Sequence, residues 1–150
     1  MSISKQFKTA LFSHHPTMTS AQVDQKIATA LSDVGLDFSK SELQRYPHEF
    51  SGGELQRITI ALGLLHEPTL LIADEPTSSL DSTNANRVLR ILTELCRKNG
   101  TAGFIISHRE AELFEYCDVV YRLGADGRLD QILAPNPRSC LLYTSDAADE

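Results

Sequence analysis

Residues 70–81 read Leu-Leu-Ile-Ala-Asp-Glu-Pro-Thr-Ser-Ser-Leu-Asp, a short apolar run that leads directly into two adjacent carboxylates. The nearly continuous apolar stretch from Thr69 to Ala73 is typical of a strand that is buried on both faces of a parallel sheet. Asp74 and Glu75 would then stand at the carboxyl end of this strand, which is where α/β proteins bind ligands. The stretch therefore predicts an α/β fold with polar chemistry at one sheet edge.

A second informative segment, Ser51-Gly52-Gly53, lies upstream of that strand. Ser51 stands where a helix N-cap belongs, and an apolar stripe follows it. The two glycines leave backbone N–H groups open to the close approach of an anion at the positive end of the helix. On the residues alone a plain helix cap and a phosphate-binding turn both remain open. The stripe comprises Leu55, Ile58, Leu62 and Leu65.

Hydrophobic periodicity and turn residues place further elements along the chain. Helices are expected at residues 1–12 (continuing a helix begun upstream), after a cap at Thr19 or Ser20 with Gly35 just past the end, at 39–45, from Ser82 or Thr83 with Gly100 at the C-terminal stop, and at 109–117. Strands are expected at 103–107, 119–123 and 129–133. The crossover from Thr69 to Ile106 predicts that the first two strands are parallel neighbours.

Composition restricts the class of protein. The 150 residues are 41% hydrophobic and 23% charged, with a net charge of −6, which disfavours a nucleic-acid partner. No apolar run approaches the ~20 residues of a membrane span, and the start does not resemble a signal peptide. We expect a soluble cytosolic chain. The spacing of Cys96, Cys117 and Cys140 fits no zinc pattern, and Cys96 is expected in the core.

Residues 46–57, Tyr-Pro-His-Glu-Phe-Ser-Gly-Gly-Glu-Leu-Gln-Arg, together with residues 70–81, resemble the signature, Walker B and D-loop motifs of ABC-type ATPases. The resemblance covers residues 1–133 and is nearest to the peptide and nickel importers. It implies the P-loop NTPase fold of ABC ATPases, with ATP and Mg²⁺ as cofactors. Two positions depart from the importer pattern, because Glu54 replaces a frequent Gln and Arg109 stands where Asp is common.

The resemblance also implies roles for residues at the chain's own nucleotide. Asp74 would hold Mg²⁺, usually through water, and Glu75 would orient or deprotonate the attacking water. His108 follows Ile-Ile-Ser at the end of the next strand and matches the switch histidine that contacts the γ-phosphate. Oxygen ligands for a hard cation and a positioned nucleophile are what phosphoryl transfer needs. Glu75 and His108 are therefore the expected catalytic residues.

Other residues would serve a second ABC ATPase domain in trans. The resemblance implies that Ser51, Gly52, Gly53 and Glu54 meet ATP that the partner domain holds. Asp81 falls at the D-loop aspartate, which faces that domain. ATP would thus be sandwiched between two such domains.

The chain contains no Gly-Lys dipeptide, so the Walker A loop that the family places upstream is missing, as is the Q-loop. We interpret residues 1–139 as the C-terminal part of an ABC ATPase domain, with Met1 an internal methionine. Residues 1–66 would be part of the helical subdomain with the signature helix, and residues 67–139 the remaining catalytic core. Residues 140–150 resemble the translation of a sequencing adapter and are left out of the expected fold.

The function that the resemblance implies is that of a transporter's ATP-binding subunit at the cytoplasmic face of the membrane. It would couple ATP hydrolysis to peptide or nickel import. Its partners would be a second ABC ATPase domain, permease subunits and an extracytoplasmic substrate-binding protein. A non-transport ABC ATPase of DNA repair or translation is the alternative, although neither coiled-coil heptads nor basic linkers occur. A catalytically dead fragment that only binds partners is a third hypothesis.

Overall fold

The computed structural model describes residues 1–132 and the backbone of residues 141–145. The chain forms two compact units, Met1–Pro68 and the part that begins at Thr69. The first unit is helical, and the second is a five-stranded sheet with two helices. Among the described residues, no helix has both the length and the hydropathy that a membrane crossing requires.

Three helices build the first unit: α1 (Ile3–His14), α2 (Ser20–Asp33) and α3 (Gly52–Leu64). Thr19 begins α2 through a reciprocal capping box with Gln22, and Gly35 follows its end with a φ of 69°. That left-handed conformation suits glycine and lets the chain turn away from the helix. The apolar stripes meet in a core whose fully buried members are Ile3, Phe7, Leu11, Val23, Ile27, Leu31 and Val34.

Two helical expectations in this unit need correction. The short helix expected at 39–45 is only a 3₁₀ turn at Glu42–Gln44, and a second 3₁₀ turn follows at Pro47–Glu49. The Glu42 carboxylate accepts hydrogen bonds from the N–H and hydroxyl of Ser39, which close a tight turn before a regular helix can extend. On α3 the expected stripe is also shifted, because Leu55 and Leu62 are only half-buried.

The second unit alternates strands and helices in the expected order. Its strands are β1 (Leu70–Asp74), β2 (Ala102–Ile106), β3 (Val119–Leu123), β4 (Leu129–Ile132) and β5 (Leu141–Ser145), and its helices are α4 (Ser82–Asn99) and α5 (Glu110–Tyr116). The predicted parallel pairing of β1 and β2 is confirmed, with Leu70 opposite Ala102 and Asp74 opposite Ile106. β4 pairs antiparallel with β3. Leu133, expected in β4, lies outside the described residues.

The prediction that β1 is buried on both faces is wrong. Its exposure alternates, and Leu70 and Ile72 are 53% and 62% exposed while Leu71 and Ala73 are half-buried. Side chains of a strand alternate between the two faces of a sheet, so one face of β1 is covered and the other is not. The apolar run fits a strand covered on both faces, whereas this structure covers one.

α4 packs against β2 of this sheet and against α5. Asp81 begins the helix, and Gly100 ends it with a φ of 66°. Val88, Leu92 and Leu95, expected on its apolar face, are buried, and so is Cys96, as predicted. The predicted Ile91 is only half-buried, because the buried stripe passes through Leu89 instead. Cys140 lies outside the described residues.

No element is expected within residues 140–150 from the sequence, but residues 141–145 are part of the sheet. These residues form β5, and the strand order is β1-β2-β5-β3-β4. β5 runs parallel to both of its neighbours, with Leu141 opposite Phe104 on one side and Val119 on the other. The end of the chain therefore fills the position between two strands that would otherwise have a gap between them.

Candidate functional site

Ser51 begins α3 in the way that the sequence predicts. Its hydroxyl oxygen accepts a hydrogen bond from the Glu54 N–H at 3.3 Å. In return the Glu54 carboxylate accepts the Ser51 hydroxyl at 2.7 Å and the Ser51 N–H at 2.9 Å. This capping box places a carboxylate of the chain itself beside the helix N-terminus, where a phosphate group would find open N–H groups.

The segment that leads to Ser51 is held by side chains around Phe50. The Arg45 guanidinium lies 4.3 Å from the centre of the Phe50 ring and donates to the Glu49 carbonyl. Phe38 packs against the same ring at 5.2 Å between centroids. The Arg45 carbonyl in turn accepts the Ile3 N–H at 3.0 Å, which ties the segment to the start of α1. The N-terminus of α3 is thus presented on a braced segment.

Hydrogen bonds from the Ser51 hydroxyl and then from its N–H lower the pKa of Glu54, and burial opposes them. A lowered pKa in the folded chain means that Glu54 stabilises the fold above its unfolded pKa, and that this contribution disappears as the pH falls through the folded value. We expect Glu54→Gln to lower the free energy of unfolding by about 0.5 kcal/mol at pH 7. The difference from the parent chain should shrink as the pH falls below the unfolded pKa of Glu54 and through its lower folded pKa. Urea unfolding across this pH range measures it.

The matched control is Glu94→Gln, which removes an exposed carboxylate of α4 that makes no hydrogen bond among residues 1–132. At pH 7 it should lower the free energy of unfolding less than Glu54→Gln does, because it removes no capping contact. A pH-independent difference for Glu54→Gln would contradict the assignment of the lowered pKa to the capping box.

The three expected residues of the chain's own nucleotide site come together at the carboxyl edge of β1 and β2. Asp74 is the last residue of β1, and Glu75 follows it with its N–H donating to the Ile106 carbonyl at 2.8 Å. The Nδ1 atom of His108 lies 2.9 Å from Oε1 of Glu75. Residues far apart in sequence thus form a carboxylate–imidazole pair at the sheet edge where α/β proteins bind ligands.

Glu75 adopts a backbone conformation that is costly for a residue with a side chain. Its φ is 46°, in the left-handed region that a non-glycine residue rarely occupies. Strain of this kind persists where surrounding contacts enforce it, and it concentrates at functional sites. The contacts here are the Ile106 hydrogen bond and the turn in which the Ser78 N–H donates to the Glu75 carbonyl at 3.3 Å.

The second carboxylate oxygen of Glu75 is unusual as well. Oε2 is buried and has no hydrogen-bond partner among the described residues. A buried carboxylate oxygen without a donor is costly, so such an atom marks a place for a water molecule or another polar group. Oε1 is thus held by His108, while Oε2 remains available to accept a proton or a hydrogen bond.

The residues present fit the Mg²⁺ that the family resemblance implies. Asp74 is exposed at the strand end and makes no hydrogen bond within residues 1–132. Mg²⁺ prefers oxygen ligands and is commonly held by one or two carboxylates together with water and substrate phosphates. In the described part of the chain, no group of three or more His, Cys, Asp or Glu residues could hold a metal alone. Asp74 as a single carboxylate ligand agrees with both facts.

Asp81 is the N-cap of α4, a structural role that is separate from its expected D-loop role. Its carboxylate accepts the Asn84 N–H at 2.9 Å and the Asn84 side-chain amide at 2.6 Å, and it thereby caps α4. These hydrogen bonds lower the pKa of Asp81, the backbone bond first. The Asp81 carboxylate is exposed, so its position leaves it accessible to another molecule.

Sequence reasoning missed a second connection at the same edge of the sheet. The Thr77 hydroxyl donates to Oε2 of Glu112 at 3.4 Å, and Arg109 Nη1 donates to Oε1 at 3.1 Å. The spacing of three residues between Arg109 and Glu112 on a predicted helix could have indicated their ion pair. Nothing in the sequence pattern indicated that Thr77 also donates to Glu112.

Residues 1–78, more than half of the chain, match the ABC transporter family. The chain belongs to this family. Solved structures agree on the fold: the ATP-binding cassette MJ0796 in a dimeric post-hydrolysis state with ADP and Pi gives a TM-score of 0.70 at 21% identity. That match covers 87% of this chain and 56% of the cassette chain. An inward-facing ABC transporter gives 0.74 at 25% identity, covering 89% of this chain and 53% of its own.

Curated relatives give finer similarities. The chain is 40% identical over 115 residues to the nickel import system ATP-binding protein NikD of Staphylococcus aureus strain N315, covering 77% of this chain and 44% of the relative. It is 46% identical over 95 residues to the uncharacterized ABC transporter ATP-binding protein YejF of Escherichia coli K12, covering 63% of this chain and 18% of that protein. The chain therefore spans less than half the length of the curated relatives it matches.

Proposed function

We propose that the chain is part of the ATP-binding subunit of an ABC importer and contributes the hydrolytic half of its nucleotide site. The observation that carries this proposal is the Glu75–His108 pair, set at the carboxyl ends of two adjacent parallel strands beside Asp74. The family match and the named nickel-import relative support it. The cofactors would be ATP and Mg²⁺.

In this mechanism Glu75 aligns the water that attacks the γ-phosphate. Oε2, which has no donor in the described structure, would accept a hydrogen bond or proton from that water. His108 fixes Oε1 and lies beside it with 62% of its side chain exposed, so its ring can also meet a phosphate oxygen. Asp74 would hold Mg²⁺ through water, and the bound ion would neutralise developing phosphate charge.

Ser51, Gly52 and Gly53 would bind a different ATP molecule, held by a second ABC ATPase domain. The N-terminus of α3 offers backbone N–H groups and a hydroxyl for phosphate oxygens. For the Ser51 hydroxyl to donate to phosphate, it must leave the Glu54 carboxylate that it donates to here. The exposed Asp81 would face the same partner.

The importer would work at the cytoplasmic face of a membrane with permease subunits and an extracytoplasmic substrate-binding protein. Its cargo would be nickel or a peptide, with nickel favoured by the name of NikD, a relative that matches 77% of this chain. Permease and binding protein would select the cargo, as the family resemblance implies. We expect no nucleic-acid partner, since the net charge is −6.

We expect the purified 150-residue chain to show no ATP turnover, because it contains no Gly-Lys dipeptide and hence no phosphate loop of the Walker A kind. Joining the full 150-residue chain, which keeps β5, behind the phosphate-loop portion of an ABC ATPase should give a chimera that hydrolyses ATP. Phosphate release from both proteins measures the result, with the phosphate-loop portion alone as the control. A folded chimera that binds ATP without hydrolysing it would contradict the proposed function.

A further inference from the structure

Two loops at the carboxyl edge of the sheet are joined twice. One loop follows β1 and carries Glu75 and Thr77, and the other follows β2 and carries His108 and Arg109. The first connection is the contact of His108 with Glu75 at 2.9 Å. The second runs through α5, where the Glu112 carboxylate accepts one hydrogen bond from each loop.

The second connection is far less exposed than the first. Thr77 is 1% exposed, and the side chains of Glu112 and Arg109 are 18% and 30% exposed, whereas that of His108 is 62% exposed. Exposed ion pairs contribute little because water competes for both groups, and shielding strengthens the same contact. The Glu112 bridge is therefore a second constraint, better shielded from water, on how the two loops lie against each other.

The two connections and the two short loop segments between them form a closed ring of contacts. Thr77 lies two residues after Glu75, and Arg109 directly follows His108, so each loop reaches from the bridge to the pair within about 8 Å of backbone. The Arg109 N–H also donates to the buried Ser107 hydroxyl oxygen at 3.2 Å, which fixes the turn on either side of His108. A shift of one loop would strain both connections together.

We propose that Arg109 and Glu112 are positioning residues that hold the His108 ring against Oε1 of Glu75. A cationic donor at position 109 suits the Glu112 carboxylate, whereas an acidic residue there would repel it. The inference rests on the proposed function, because the position of Glu75 matters where Glu75 handles the attacking water. Its geometric part needs no nucleotide and can be tested separately.

The test uses the full 150-residue chain with isotope-labelled histidine, and it follows the His108 ring by NMR. Arg109→Met and Glu112→Gln should each shift the His108 ring resonances and reduce the population of the His108–Glu75 contact roughly two- to threefold, the effect of losing one partly exposed pair. Arg109→Lys, which keeps a cationic donor, should restore part of the contact.

The matched control is Arg122→Met. It removes the ion pair between Arg122 of β3 and Glu110 of α5, made at 2.8 Å and 2.9 Å. Glu110 lies on the same short helix as Glu112, but the pair is outside the ring. The His108 resonances should not change. Thr77→Val, which removes only the hydroxyl, replaces Glu112→Gln if that variant does not fold.

Unchanged His108 resonances in folded Arg109→Met and Glu112→Gln chains would overturn the inference. An equal effect of Arg122→Met would overturn it too, because the cause would then be general loosening of α5. Failure of the chimera to hydrolyse ATP would count against the proposed function and would leave this geometric result intact.

Discussion

Deletion of residues 140–150 should abolish cooperative unfolding of the second unit. β5 is the only link in the described sheet between β1-β2 and β3-β4, pairing with three residues of β2 and five of β3. With a net value of about 1 kcal/mol for each hydrogen bond, the expected loss is on the order of 5 kcal/mol, comparable to the whole stability of a small domain. Urea unfolding followed by circular dichroism measures it.

Two further variants make this result specific to the strand. Deletion of residues 146–150 alone keeps β5 and should change the free energy of unfolding by less than about 0.5 kcal/mol. Tyr143→Pro keeps the chain length but removes an N–H from a strand that is paired on both sides, and we expect it to cost about 3 kcal/mol or more. Coincident unfolding curves for the parent and the longer deletion would show that β5 is not part of the stable sheet.

The role of β5 has a backbone explanation that does not depend on where residues 140–150 come from. Two strands on either side of a vacant position stand roughly 10 Å apart, which is twice the strand spacing. Both then present unpaired N–H and C=O groups, and a five-residue segment of any compatible sequence can satisfy them. The position of residues 141–145 in the sheet therefore neither supports nor contradicts the interpretation of residues 140–150 as an adapter translation, which stays a prediction.

Glu75→Gln should lower ATP turnover of the chimera at least 100-fold, the usual scale for losing a general base. The amide keeps the size of the side chain but cannot accept the proton of the attacking water. ATP binding should change little, because Glu75 acts on water rather than holding the nucleotide. Turnover measured by phosphate release, with ATP binding measured separately, tests both parts.

Glu94→Gln is the matched control, since it neutralises an exposed glutamate of the same unit and should leave turnover unchanged. Thermal unfolding of each variant shows whether any loss comes from the fold. If the Glu75→Gln chimera kept more than roughly a third of the turnover of the unsubstituted chimera, Glu75 would not be the general base, because losing a general base lowers the rate by orders of magnitude.

Much of the fold follows from local chemistry that the sequence displays. The start of α2 at Thr19 and of α3 at Ser51 could be predicted, because a hydroxyl that accepts a nearby N–H caps a helix wherever the chain lies. The parallel pairing of β1 with β2 followed from the helical crossover between them. Asp74, Glu75 and His108 could be placed at strand ends for the same reason.

Other features depend on neighbours that periodicity does not reveal. The uncovered face of β1 depends on which elements pack against Ile72, and the missing helix at 39–45 depends on a competing hydrogen bond at Glu42. The left-handed backbone of Glu75 is likewise imposed by its partners, the Ile106 carbonyl and the turn to Ser78. These are long-range or competing interactions, which a local sequence pattern does not predict.

The ABC ATPase motifs, the helix caps and the residue types at the carboxyl edge of the sheet can be read from the sequence, because each depends on chemistry within a few neighbouring positions. The tertiary structure was needed to show that the Glu112 carboxylate joins the loops of Thr77 and Arg109, and that β5 lies between β2 and β3. Both arrangements bring together groups that are distant along the chain. Their partners are selected by the packing of the whole sheet, which no short stretch of sequence contains.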